Sequence, residues 1–147
     1  MSHIAVRIHF VWSTAHRQPL IDETWQDRLY GYIGGILRER NATLLTAGGI
    51  TDHIHVYASL PATIALAGLV KAMKAISSKW VHEEIKFTPF AWQDGYGAFS
   101  VSPADDARVR AYIANQKEHH KQRDFKAEYL DFLERAGVEY DPKYVFA

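Results

Sequence analysis

The sequence predicts an α+β fold, and three observations carry that prediction. Large apolar side chains recur at every second position at Ile4, Val6, Ile8, Phe10 and Trp12, the period of a strand. Apolar residues recur at helical spacing at Trp25, Leu29, Tyr32, Ile33, Ile36 and Leu37, and again at Leu66, Leu69, Val70, Met73, Ile76 and Trp80. Between and after these helices the chain returns to short strand-like stretches, so the order reads β-α-β-β-α-β. That is the split βαβ, ferredoxin-like pattern of a four-stranded antiparallel sheet, with further helices and a tail appended. Right-handed crossovers put both early helices on one face and leave the other face open for a ligand or a third helix.

Each element has local signals. After the first strand, residues 13–19 form a polar, basic loop holding His16 and Arg17. Asp22 sits at an N-cap position for a helix reaching Arg40, and Asn41 ends it. Residues 43–47 read as a second strand that turns at Gly48-Gly49 into a third, in which His53, His55 and Tyr57 face one way and Ile54, Val56 and Ala58 the other. Thr63 is placed to cap a helix running to about Glu84. Residues 87–92 are an aromatic connector and 93–97 a turn. Residues 98–102 are a fourth strand, stopped by Pro103. A third helix spans about 107–123, and a last one about 126–136 is closed by Gly137. Tyr140, Tyr144 and Phe146 suggest that the tail docks. With no repeat or linker, residues 1–147 read as one domain.

Composition excludes several classes. A hydrophobic content of 48% and an aromatic content of 13% suit a packed core rather than disorder. The absence of cysteine removes disulfides, thiolate metal sites and cysteine nucleophiles, and fits a cytoplasmic location. No leader-like segment opens the chain, and its longest apolar run, residues 64–70, is too short to span a bilayer. Seventeen basic and seventeen acidic residues give zero net charge, so any nucleic-acid surface must be a local patch.

Two imidazoles at i and i+2 on a strand stand roughly 6.5–7 Å apart at Cα, within reach of one metal ion. Tyr112 and Gln116 are four apart and share a helix face, which His119 or His120 continues. An amide oxygen from Gln116 suits a hard divalent ion that also accepts two imidazoles. Such a set leaves positions open for phosphate oxygens, and a tyrosine one turn away is placed to attack the phosphorus.

His-hydrophobic-His on a strand with Tyr-x-x-x-Gln on a later helix resembles the single-tyrosine HUH transposases of the insertion sequence 200/605 type. The stretch from His9 to Thr14, the Asp52-His53-Ile54-His55 context and the segment from Trp92 to Phe99 are also similar, so the likeness runs from about Ile4 to Phe125. The resemblance implies a metal-dependent enzyme that cuts and rejoins single-stranded DNA at hairpin ends. It also implies that His53, His55 and Gln116 hold Mg²⁺ or Mn²⁺, and that Tyr112 on the added helix forms a 5′-phosphotyrosine. A homodimer is implied too, with the tyrosine helix able to serve either subunit.

For DNA contacts the candidates are Arg7, Arg17, Lys71, Lys74, Lys79, Lys117, Lys121 and Arg123, although the α-helical lysines also read as a solvated face. His119 and His120 are open to three roles: supplementing or replacing Gln116, contacting phosphate, or lying in solvent. Phosphate contact or no role is favoured. A domesticated repeat-associated transposase, a non-catalytic ferredoxin-like nucleic-acid-binding module and a water-using phosphohydrolase are the competing readings.

Overall fold

The computed structural model of the chain describes residues 1–121 and 123–146. Its elements are β1 (Val6–Ser13), α1 (Glu23–Glu39), β2 (Thr43–Ile50), β3 (His53–Leu60), α2 (Leu66–Trp80), β4 (Gly97–Ser100), α3 (Asp106–Ala114), α4 (Gln116–His119) and α5 (Phe125–Arg135). The four strands form one antiparallel sheet in the order β2-β3-β1-β4, the ferredoxin-like arrangement.

The pairing register places Val11 opposite His55, His9 opposite Tyr57 and Ser13 opposite His53. Because strand side chains alternate, these residues share one face of the sheet. Phe10, Trp12, Ile54, Val56 and Ala58 occupy the opposite face and pack with Leu29, Ile33, Leu37, Leu69 and Met73 of α1 and α2 in the main core. Asp22 caps α1 as its position suggests, accepting a hydrogen bond from the Thr24 amide at 2.8 Å.

Several expectations need correcting. Gly48 and Gly49 do not turn the hairpin. They lie within β2, and the turn falls at Thr51 and Asp52. α2 starts at Leu66 behind Ala65 rather than behind Thr63, and a π-helical turn at Val81–Ile85 extends it. The helix expected over 107–123 is interrupted at Asn115, whose ψ of 26° leaves the helical region, so Tyr112 lies on α3 and Gln116 opens α4. Gln122, within that expected helix, and Ala147 at the end of the tail lie outside the described residues.

The second face of the sheet is not open. Phe125, Tyr129 and Leu133 of α5 close over Val11, and Phe99, Tyr140, Val145 and Phe146 pack around them. The tail therefore does dock.

Candidate active site

β3 carries His53 and His55 into the seam between the sheet and α3 to α5, where both are fully buried. Asp52, in the tight turn, accepts a hydrogen bond from His53 Nδ1 at 2.8 Å. The Nε2 of His53 faces Gln116 Oε1 at 2.9 Å and Glu128 Oε1 at 3.6 Å. His53 Nε2, Gln116 Oε1 and Glu128 Oε1 thus converge on one buried point. Gln116 keeps its oxygen inward because its Nε2 donates to the Tyr112 carbonyl at 3.3 Å.

His55 Nε2 lies 2.9 Å from the same oxygen of Glu128, and its Nδ1 lies 2.7 Å from His9 Nε2. Burial is the main cause that brings the His55 pKa down to about 4, against the opposing pull of Glu128. Burial, and then His55, likewise hold the His9 pKa well below its ordinary value. Both rings are therefore neutral near pH 7, which suits them as ligand and supporting residue. His120 Nε2 completes the cluster, 3.0 Å from Gln116 Oε1 and 3.2 Å from Glu128 Oε2. Donor atoms of His53, His55, His120 and Glu128 all lie within 4.8 Å of one another, close enough to share one ion.

Glu128 joins this cluster to the tyrosine, because Tyr112 Oη donates a hydrogen bond to Glu128 Oε2. Burial pushes the Glu128 carboxyl upward, but hydrogen bonds from His120 and His55 outweigh it and keep the group ionised. Burial, followed by the hydrogen bond to that carboxylate, raises the Tyr112 pKa. Tyr112 in this state is a protonated phenol with its proton directed at a buried base.

Two devices fix α3 in place. A Cβ on Gly48 would collide with the carbonyl oxygen of Ile113, so glycine allows α3 to lie directly on β2. Asp106 at the start of α3 accepts hydrogen bonds from Tyr57 Oη at 2.8 Å, Arg7 Nη1 at 3.1 Å and Arg110 Nε at 2.9 Å. Arg110 Nη1 also reaches the Leu45 carbonyl of β2 at 3.1 Å.

The structure therefore brings together His53, His55, Gln116, Tyr112 and His120. His119 stands beside them, its ring 4.4 Å from that of Tyr112. The expected phosphate contacts are scattered. Arg7 serves the Asp106 anchor, and Arg17 lies over Phe146 at 5.4 Å. Lys74 caps the carbonyls of Gln93, Asp94 and Gly95. Lys117 pairs with Glu23 at 3.3 Å, Lys121 with Glu118 at 3.0 Å and Arg123 with Asp131 at 3.5 Å. Lys79 is 4.0 Å from Glu83, and Lys71 is exposed on α2. Sequence reasoning missed His9 and Glu128. His9 has the right strand parity, but only the β1–β3 register reveals it, and no spacing rule points to Glu128.

Comparisons with known proteins bear on the fold and the family. Residues 2–116 match the family described as transposase, IS200-like. The ISDra2 transposase TnpA of Deinococcus radiodurans is 23% identical over 120 residues, covering 78% of this chain and 84% of the relative. A Deinococcus radiodurans R1 protein assigned as a transposase has a crystal structure that superposes with a TM-score of 0.63 at 20% identity, covering 78% of this chain and 93% of that one. A REP-associated tyrosine transposase, solved bound to a REP hairpin, superposes with a TM-score of 0.61 at 16% identity over 82% of this chain and 72% of that one. With the family match spanning most of its length, the chain belongs to the IS200-like transposase family.

Proposed function

We propose that this transposase cuts and rejoins single-stranded DNA at hairpin-bearing ends, with Tyr112 as the nucleophile. The observation that carries this reading is the meeting of the Tyr112 hydroxyl and the His53–His55 pair on one carboxylate, Glu128. The Tyr112 oxygen attacks the scissile phosphorus as its proton passes to Glu128, and the bond to the 3′ oxygen breaks. The products are a 5′-phosphotyrosine and a strand whose 3′ oxygen takes up a proton. Since one phosphoester replaces another, a 3′-hydroxyl can reverse the step and join new DNA without a nucleotide cofactor.

His53, His55 and Gln116 are the residues proposed to hold a divalent ion, Mg²⁺ or Mn²⁺, with Glu128 and His120 as further donors. Such an ion supplies Lewis-acid polarisation of the phosphate. A donor set rich in imidazole favours Mn²⁺ within that pair. His9 orients His55 from behind, and Asp52 orients His53. The hairpin preference draws support from the relative solved on a REP hairpin. Among the described residues no helix is long and apolar enough to cross a membrane. Action in the cytoplasm, as a homodimer, completes the reading.

Incubation with Mn²⁺ and an end-labelled single-stranded hairpin should yield a covalent protein–DNA adduct that Tyr112→Phe abolishes. An adduct that survives this substitution removes Tyr112 from the role. Cleavage with no adduct would point to hydrolysis by water, and binding without cleavage to a non-catalytic module.

A further inference from the structure

A cavity of about 550 Å³ opens beside the nucleophile, bounded by α3 on one side and α5 on the other. Tyr112, His119 and Phe132 supply rings to its wall, and Arg108, Arg123 and Arg135 supply guanidinium groups. Asp131 is the one acidic residue in the lining, and it is shared between Arg123 at 3.5 Å and Arg135 at 3.0 Å. With Asp105 paired to Arg108 at 3.0 Å, three cations face two carboxylates at this rim, a local excess of one positive charge in a chain of zero net charge. Arg108 and Arg135 are about three-quarters exposed, so their donors beyond the pairs with Asp105 and Asp131 face solvent.

These features match one chemistry. A guanidinium fork binds phosphate oxygens in two-pronged fashion, and an aromatic ring at the wall accepts an unpaired base by stacking. The cavity on α2 is a weaker match: of its two lysines, Lys74 is engaged by three backbone carbonyls, which leaves Lys71.

We infer that the groove between α3 and α5 is the seat of the single strand next to the phosphate attacked by Tyr112. In it Arg108, Arg123 and Arg135 contact successive phosphates, and Phe132 stacks against a base. This rests on the functional reading above and adds to it the path of the strand. Arg123, Phe132 and Arg135 lie beyond the residues matched by the family, so the C-terminal part of the chain contributes to substrate binding.

The test is the salt dependence of binding, read by fluorescence anisotropy of a labelled single-stranded hairpin oligonucleotide on the full chain. Each phosphate contact to a single strand contributes about 0.7 to the slope of log affinity against log salt. The double substitution Arg108→Gln/Arg135→Gln should therefore flatten the slope by about 1.4 and weaken binding at low salt, with the melting temperature retained. Arg38→Gln on α1, outside the groove, should leave the slope where it was. An unchanged slope in the double variant while the wild type binds overturns the groove and spares the functional reading. An equal flattening by Arg38→Gln shows a general charge effect and also overturns it. If the wild type fails to bind the oligonucleotide, the functional reading falls and the groove falls with it.

Discussion

Glu128 is a single buried carboxylate that receives Tyr112 on one oxygen and His55 on the other, with His120 alongside. Its removal affects chemistry and stability separately. Glu128→Ala should lower the rate of adduct formation by about 10²–10⁴-fold, the range for loss of a positioned proton acceptor. It also strands buried donors, so urea denaturation should show a loss of about 1–3 kcal/mol. The histidines add a pH dependence of definite sign. The His55 pKa is depressed in the fold to about 4, so its contribution is complete above its unfolded value near 6.5 and is lost as pH falls toward 4. Linkage caps that loss at about 3 kcal/mol. Glu128, also depressed, works in the same direction at lower pH. Melting temperature should fall steeply below pH 6.5 in metal-free protein, and less steeply in His55→Gln.

At the level of elements, Tyr112, the proposed nucleophile, is placed by how α3 lies on the sheet. Gly48→Ala forces the helix away from β2 and should cost about 1–3 kcal/mol by overpacking, with adduct formation reduced beyond what the lost stability explains. Tyr57→Phe removes one of three donors to Asp106 and should cost about 1 kcal/mol in chemical denaturation. These elements also show what a sequence reveals and what it conceals. Alternation in β1 and periodicity in α1 and α2 are local properties, and they were legible. Gly48-Gly49 was misread because a glycine pair signals a turn, whereas Gly48 is required by the close approach of α3 from elsewhere in the chain. The break at Asn115 was invisible for a similar reason: its flanking residues suit a continuous helix.

Across the whole molecule, the site draws on β1, β3, α3, α4 and α5. The His53–His55 and Tyr112–Gln116 pairs were legible because each obeys a short spacing rule on its own element. His55 and Glu128 are 73 residues apart and meet through the docking of α5, which no local pattern encodes. That docking has a kinetic consequence. His53 and His55 have no exposed surface beneath α5, so a solute reaches them by way of a minor state in which the helix has lifted. An apparent affinity is then the intrinsic one scaled by the population of that state. The observed rate of Mn²⁺ binding in stopped flow should accordingly level off at high Mn²⁺, at the frequency with which α5 opens. A rate that climbs linearly without a ceiling would show that the imidazoles are reached with the helix in place.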